Sequence, residues 1–385
     1  MTVEAPEQAV ILVGGLGTRL AELTKNHPKP LLTVGDAPFL DELIWRLERF
    51  GFRRLLLLAG HRAEKFTGYL AQYFRDRAIN VELVVEPHPL GTAGALRFAA
   101  SKLDRSFYLL NGDSLFDFNW LDLIPSSAQG APLIAMGLRR EADASRFGVV
   151  DVDRDQVVAF HERGGPAGGI INGGVYLVSY DIVPFLPESG SLERDVLPNL
   201  AAMGRVTGRV YEGFFIDIGT PDSFTRAPAL LRANKQRAAF FIDSSCVLDR
   251  GSDRVGNWRP GAVDAIKMIN DHGRYVFLIA NRDELSSSAG PGPQGNPIND
   301  TMQRELRVHG AHFEDFSLDS FAPGGSRKPE TNMIADLTAR WPIDARGSFR
   351  IVGSSPEASV AGRSAVNTHV FAGGNLLEAI APLLH

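Results

Sequence analysis

Cysteine is almost absent from this chain. Cys246 is the one cysteine among 385 residues, so neither an internal disulfide nor a cysteine-rich zinc site can form. No apolar run reaches the roughly 18 residues that a transmembrane helix needs. The first residues also lack the basic and apolar segments of a signal peptide. We therefore expect a cytoplasmic protein with no membrane partner.

Concentrated basic charge is also missing. The 40 Lys and Arg residues are outnumbered by 45 Asp and Glu, and no block of Lys and Arg stands out. Proteins that bind nucleic acid normally carry a basic patch, so the composition argues against that partner. The hydrophobic fraction of 44% is that of an ordinary globular protein. The length favours two domains or one large one.

Short apolar runs alternate with helical patterns in the first part of the chain. Strands are expected at 9–13, 55–59, 81–85, 107–110, 132–136 and 174–178, and a helix at 38–51. This alternation is typical of a mostly parallel sheet covered by helices. The pattern restarts after a helical stretch, with a strand at 238–243, a helix at 261–272 and a strand at 275–279. We therefore predict two α/β domains, residues 1–235 and 236–385.

A glycine-rich loop follows the first apolar run. It contains Gly14, Gly15, Leu16, Gly17, Thr18 and Arg19. Successive backbone N–H groups of such a loop can hold phosphate oxygens, and Arg19 and Lys29 add positive charge. No Gly-Lys-Ser/Thr ends the loop, and Leu20 stands where a dinucleotide fingerprint has its third glycine. Taken alone, such a loop is also compatible with a plain tight turn.

Together with Pro28-Lys29-Pro30, this loop resembles the signature of sugar-1-phosphate nucleotidylyltransferases. Five further motifs follow in the same order, at 89–95, 111–113, 160–163, 172–176 and 215–220. The resemblance covers about residues 8–230 and is greatest to the branch that guanylylates D-glycero-D-manno-heptose 1-phosphate. Enzymes acting on mannose and glucose 1-phosphates share much of it. The resemblance implies a Rossmann-like (GT-A-like) mixed sheet with helices.

The resemblance implies transfer of a nucleoside monophosphate, GMP from GTP, to a sugar 1-phosphate with release of pyrophosphate. Two polyanions meet in such a reaction, so it needs charge neutralisation, and Mg²⁺ is the expected cofactor. Arg19, Lys29, Asp113 and Asp217 are the implied catalytic residues, and both aspartates the implied metal ligands. Taken singly, either aspartate is also compatible with a turn or a helix cap.

The remaining motifs imply two sets of binding residues. The nucleotide is expected at Gly14, Gly15, Gly17, Thr18, Gly91, Thr92 and Ala93. The sugar is expected at Glu162, Arg163, Asn172, Gly173 and Gly174. Many relatives have Lys where this chain has Arg163. Arg keeps the positive charge but makes a planar contact. Two roles of Arg163 therefore stay open, a contact with the sugar phosphate and a position on the surface.

Residues 238–378 resemble phosphatases of the haloacid dehalogenase (HAD) type, near the heptose bisphosphate branch. Asp243 stands at the nucleophile position and Lys328 is retained. Other functional positions are lost: the acid/base is Ser245, the phosphate-binding hydroxyl is Ala280, and the late acidic pair for Mg²⁺ is Ser354 and Ser359. Ser245 cannot protonate a leaving group as a carboxylic acid would. We expect a HAD-like domain without catalysis, structural or regulatory in role.

Two other functions stay open from the sequence. One is a bifunctional enzyme in which Glu357 or Asp249 supplies the missing acid. The other is a non-catalytic binding or assembly protein, against which the retained Arg19 and Lys29 argue. Homo-oligomerisation and the packing between the domains are open as well.

Overall fold

The chain divides into two units, Met1–Leu231 and Arg232–His385. The computed structural model describes residues 4–15, 20, 23–74, 79–125, 127, 130–161, 168–249, 257–280, 297–318, 330–353 and 366–384. Within these residues, no helix has both the length and the apolar character needed to cross a bilayer. The division lies a few residues before the predicted boundary near 235, inside a helix.

A nine-stranded mixed sheet forms the centre of the first unit. The strands of the unit are β1 (Gln8–Leu12), β2 (Thr33–Val34), β3 (Ala37–Pro38), β4 (Arg54–Ala59), β5 (Asn80–Val85), β6 (Ser106–Asn111), β7 (Ser114–Asp117), β8 (Ile134–Glu141), β9 (Val149–Asp153), β10 (Gln156–His161), β11 (Gly169–Ser179), β12 (Val206–Val210) and β13 (Phe214–Asp217). The order across the sheet is β5-β4-β1-β6-β11-β8-β12-β10-β9. Strands β7 and β13 pair only with each other, as do β2 and β3.

Helices cross over between the strands of the first half of this sheet. They are α1 (Phe39–Arg49), α2 (Ala63–Tyr73) and α3 (Gly91–Phe98), and α4 (Leu197–Ala202) and α5 (Pro221–Lys235) follow later. Helix α1 buries apolar residues at helical spacing, namely Phe39, Leu43, Ile44 and Leu47. Such spacing gives the helix one apolar face, which packs into a core shared with β1 and β4.

The sheet is parallel from β5 to β6 and again between β8 and β12, so the prediction of a mostly parallel sheet is wrong for the remaining pairings. Strands β5, β4, β1 and β6 are parallel because a helix carries the chain back between them. Strand β11 is antiparallel to both β6 and β8. Strands β9 and β10 are antiparallel because only Arg154 and Asp155 join them, with Arg154 at φ 57°.

The second unit contains a five-stranded parallel sheet. Its strands are β14 (Ala239–Asp243), β15 (Tyr275–Ala280), β16 (Asp315–Leu318), β17 (Phe349–Gly353) and β18 (Asn367–Phe371), in the order β16-β15-β14-β17-β18. The helices described are α6 (Ser244–Val247), α7 (Ala262–Asp271), α8 (Pro297–Val308), α9 (Glu330–Arg340) and α10 (Leu376–Ile380). The first strand is central, so the carboxyl ends of β14 and β17 form the switch point at which open α/β sheets bind ligands.

Candidate active site

A two-stranded ribbon brings Asp113 and Asp217 together. Asp113 lies in the turn between β6 and β7, and β7 pairs antiparallel with β13 so that Asp217 is opposite Ser114. The N–H of Ile218 donates to the backbone oxygen of Asp113 at 3.1 Å. Asp217 therefore ends a strand of the two-stranded ribbon and not a strand of the nine-stranded sheet.

Lys29 lies between the two carboxylates. It begins a one-turn 3₁₀ helix directly after Pro28 and is only 9% exposed. Its Nζ donates to Asp113 Oδ2 at 2.8 Å and is 3.9 Å from Asp217 Oδ1. Two nearby carboxylates repel each other, and a shared cation offsets that repulsion. Three of the four implied catalytic residues thus form one charged cluster, and the fourth, Arg19, lies outside the described residues.

Gly219 closes the backbone around Asp217. Its N–H donates to Asp217 Oδ1. A Cβ atom at position 219 would clash with the same oxygen and would lie 3.0 Å from Lys29 Nζ. Only glycine leaves room for this carboxylate and this ammonium group at once.

A cavity of about 840 Å³ contains this cluster, and Arg146 also lines it. Arg146 Nη2 is 3.7 Å from Asp217 Oδ1, and its side chain is 39% exposed. The guanidinium lies over the ring of Phe147, which packs edge-on against Phe215 of β13. Its Nε is buried and has no hydrogen-bond partner within the described part of the chain. It is the exposed part of the Arg146 side chain in the cavity lining that a ligand can reach. The sequence analysis missed it, because a single Arg in a turn resembles a solvated residue.

Asn172 and Glu193 line the same cavity. The Asn172 side-chain amide donates to Glu193 Oε1 at 2.9 Å and to the hydroxyl of Tyr176, and its Oδ1 accepts from the N–H of Gly174 at 3.0 Å. Burial, together with the charge of Glu193, raises the pKa of Tyr176 well above its ordinary value. Tyr176 therefore stays neutral and holds the Asn172 amide in place.

The two predicted sugar-site glycines are needed for packing. A Cβ at Gly173 would clash with the ring of Phe116. Gly174 has φ 76°, and a Cβ there would lie 2.8 Å from Asn111 Nδ2 and 2.9 Å from Ser114 Oγ. These glycines let β11 approach the turn that carries Asp113. Of the motif 172–174, Asn172 is the residue that lines the cavity.

The described residues of the predicted nucleotide site lie in two other segments, the loop after β1 and the first turn of α3. Gly14 packs against Gly60 and Glu86, whereas a Cβ at Gly15 would meet open space. Gly91 has φ 72°, and the hydroxyl of Thr92 accepts from the N–H of Leu192 at 2.8 Å. Ala93 is buried. The described lining of the cavity includes Asn172 of the predicted sugar residues and none of the predicted nucleotide residues that the structure describes.

Several predicted site residues lie outside the described residues. They are Gly17, Thr18, Arg19, Glu162 and Arg163 in the first unit, and Lys328, Ser354, Glu357 and Ser359 in the second. The roles assigned to them stay predictions.

The carboxylate pair fits a divalent cation. Among the described residues, no group of three or more His, Cys, Asp and Glu side chains could hold a metal ion. Mg²⁺ is commonly bound by one or two carboxylates together with substrate phosphates. Asp113 and Asp217 provide two hard oxygen donors, which is the donor set that this mode of Mg²⁺ binding requires. Both carboxylates already lie near one cation, the ammonium group of Lys29.

Asp243 in the second unit faces a buried arginine. It ends β14, and its Oδ2 is 3.6 Å from Arg350 Nη2, whose side chain is 3% exposed. Cys246, three residues on, is fully buried. Burial raises the pKa of its thiol to about 12, so it carries almost no thiolate near neutral pH.

The first unit is thus a mixed α/β sheet with acidic and basic side chains around one cavity. Residues 8–234 match the model of the nucleotidyl transferase family, which is more than half of the chain. The chain therefore belongs to the nucleotidyl transferase family.

Curated relatives agree with this membership. The D-glycero-alpha-D-manno-heptose 1-phosphate guanylyltransferase of Campylobacter jejuni is 33% identical over 222 residues, which are 56% of this chain and 96% of that protein. The mannose-1-phosphate guanylyltransferase of Mycobacterium tuberculosis is 34% identical over 230 residues, 57% of this chain and 63% of that protein.

Solved structures show the same fold for this part of the chain. The crystal structure of HddC from Yersinia pseudotuberculosis complexed with GMP-PN has a TM-score of 0.51 and 31% identity, covering 58% of this chain and 98% of that one. A putative glucose-1-phosphate thymidylyltransferase from Bacillus anthracis, at 22% identity and a TM-score of 0.52, shows the fold alone. The predicted α/β nucleotidyltransferase fold is confirmed for the first unit.

Proposed function

We propose that this protein transfers GMP from GTP to D-glycero-D-manno-heptose 1-phosphate and releases pyrophosphate. The cluster of Lys29, Asp113 and Asp217 in one cavity carries the proposal, because a reaction between two polyanions needs such charges at the reacting atoms. The base and the sugar follow the names of the relatives, two of which are heptose 1-phosphate guanylyltransferases.

The chemistry is an in-line displacement at the α-phosphorus of the nucleotide. An oxygen of the sugar phosphate forms the new P–O bond, and the bond to pyrophosphate breaks. This oxygen is already ionised near neutral pH, so the reaction needs no general base. Catalysis then depends on positioning and on neutralising charge.

Each charged residue has a defined part in this scheme. Asp113 and Asp217 would hold Mg²⁺, which when bound supplies neutralising charge to the phosphates. Lys29 would contact the phosphates at the reacting centre. The loop that contains Gly14, Gly15 and Arg19 would bind the triphosphate. Arg146, which lines the same cavity with a partly exposed side chain, would hold the phosphate of the sugar 1-phosphate through its guanidinium group.

We propose further that the second unit is a HAD-like domain without hydrolytic activity. The support is a parallel sheet whose central strand ends at Asp243. Ser245, two residues later, stands where phosphatases of this type have the acid/base carboxylate. Arg350 contacts the Asp243 carboxylate. Release of phosphate from a heptose bisphosphate by the wild type, abolished by Asp243→Asn, would favour the bifunctional alternative.

The test is pyrophosphate release with Mg²⁺ across four nucleoside triphosphates and the 1-phosphates of D-glycero-D-manno-heptose, mannose and glucose. The proposal expects the largest kcat/KM for GTP with the heptose 1-phosphate. A larger value for mannose 1-phosphate would correct the sugar and keep the reaction. No release with any pair, from folded protein, would contradict the reaction and favour a binding or assembly role.

A further inference from the structure

Glu193 lies on an unusual backbone turn in the cavity wall. Residues Leu192–Val196 form a single π-helical turn directly before α4. Such turns are rare and occur frequently at functional sites. Glu193 is exposed on this turn and lines the cavity, and no sequence motif had marked it.

The position of Glu193 is fixed from two sides. From β11, the Asn172 amide donates to its Oε1 at 2.9 Å, and Tyr176 holds that amide. From the other side, the preceding residue is tied to α3, because the N–H of Leu192 donates to Thr92 Oγ1 at 2.8 Å. Gly190 adds two backbone bonds to residues 90 and 93 of the same region. The carboxylate is therefore preorganised, which lowers the entropy lost on binding a ligand.

The cavity offers different chemistry to different parts of a ligand. Lys29 and Arg146 lie at the carboxylates Asp113 and Asp217, where a phosphate would be attracted. Glu193 is a carboxylate, a hydrogen-bond acceptor, that the Asn172 amide contacts at 2.9 Å and that lies beside Tyr176. Arg194 also lines the cavity, but it is ion-paired with Asp195 at 2.9 Å.

A carboxylate repels phosphate and accepts hydrogen bonds from O–H groups, and both of its oxygens can bind adjacent hydroxyls. We infer that Glu193 binds hydroxyl groups of the sugar 1-phosphate and thereby contributes to the choice of sugar. The inference rests on the proposed transfer to a sugar 1-phosphate and adds a specificity-determining residue to it.

The experiment compares Glu193→Gln with Glu188→Gln, a matched change at an exposed glutamate of the same segment that does not line the cavity. With GTP saturating, Glu193→Gln should raise KM for the sugar 1-phosphate roughly tenfold or more, because charged hydrogen bonds are lost. KM for GTP should change less than about twofold, and Glu188→Gln should match the wild type. If turnover of Glu193→Gln is too slow, the Kd of the sugar 1-phosphate by calorimetry should show the same shift.

Monodeoxy sugar 1-phosphates separate direct contact from a structural role. One deoxy analogue should lose roughly tenfold in kcat/KM with the wild type and much less with Glu193→Gln, because the hydroxyl and its acceptor act as a pair. Equal losses in both enzymes for every analogue would overturn the inference, as would a Glu193→Gln enzyme indistinguishable from Glu188→Gln. A wild type inactive with every sugar 1-phosphate would instead overturn the proposed function.

Discussion

At the scale of single residues, Gly219 determines whether Asp217 and Lys29 can occupy the same space. Gly219→Ala would push the Asp217 carboxylate and the Lys29 ammonium apart. Displacements of this size near reacting atoms lower kcat by about 100-fold, and we expect that loss in a steady-state assay of pyrophosphate release.

The control is Gly68→Ala in α2, where a Cβ would meet open space. An alanine inside a helix is favourable by roughly 0.5–1 kcal/mol, so this variant should keep full activity and melt at the same temperature or slightly higher. Full activity of Gly219→Ala would mean that the observed arrangement of the cluster is not needed for the reaction.

Arg146 is the second residue-scale prediction. Arg146→Met removes the guanidinium near Asp217 but keeps much of the side-chain volume. We expect KM for the sugar 1-phosphate to rise roughly tenfold, the effect of losing a charge-assisted hydrogen bond. Arg140→Met, at an exposed position of β8 outside the cavity, should leave both KM values unchanged. An increase confined to KM for GTP would assign Arg146 to the other substrate.

Some charged residues of the cavity could be predicted from the sequence and others could not. Lys29, Asp113 and Asp217 were predictable because each stands in a distinctive motif: Lys29 between two prolines, Asp113 directly after Gly112, and Asp217 two residues before Gly219. Arg146 and Glu193 were not, because charged residues in turns are normally solvated. Their place in the cavity depends on contacts with Asp217 and Asn172, which lie far from them in the chain.

At the scale of elements, the ribbon of β7 and β13 positions Asp113 and Asp217, and a buried ion pair connects it to α1. Arg46 in α1 is fully buried, and its Nε donates to Asp117 Oδ2 of β7 at 3.0 Å. Its Nη1 donates to Glu42 Oε2 at 3.1 Å. The guanidinium therefore has two carboxylate partners and depends on both for its charge compensation.

Asp117→Asn should lower the free energy of unfolding of the first unit by about 3 kcal/mol, because Arg46 would lose one of its buried partners. Urea titration followed by tryptophan fluorescence measures this change. Asp104→Asn breaks the exposed pair with Arg54 and should cost less than about 1 kcal/mol. Equal, small losses in both variants would show that the Arg46 pair contributes little.

Hydrophobic patterning predicted several strands and helices of the first unit. It did not predict how the strands pair in the sheet. The apolar runs predicted at 55–59 and 107–110 are β4 and β6, and the predicted helix at 38–51 is α1. The ribbon was not foreseen, because strands of four residues carry too little pattern. The direction of β11 depends on its neighbours and not on its own residues.

At the scale of the whole molecule, the chain joins two units, and Cys246 reports on the second one. Its thiol is fully buried and its pKa is raised to about 12, so it should react with a thiol reagent only when this unit opens. Because Cys246 is the one cysteine in the chain, the labelling rate measures this opening directly.

Asp243→Asn should speed the labelling of Cys246 roughly tenfold or more, because the buried Arg350 loses its contact with a charged partner. Asp249→Asn, which loosens an exposed pair with Arg259, should leave the rate nearly unchanged. Equal rates for wild type and Asp243→Asn would show that this ion pair does not stabilise the unit. Transferase activity should be the same in all three proteins.

Nucleotidyl transfer by this protein is proposed to depend on the cluster of Lys29, Asp113 and Asp217. The most direct test measures pyrophosphate release from GTP and D-glycero-D-manno-heptose 1-phosphate by the wild type and by Asp113→Asn. We predict that the wild type releases pyrophosphate. Asp113→Asn should release it about 100-fold or more slowly, with an unchanged melting temperature. An Asp113→Asn variant as fast as the wild type would contradict the assignment of this site.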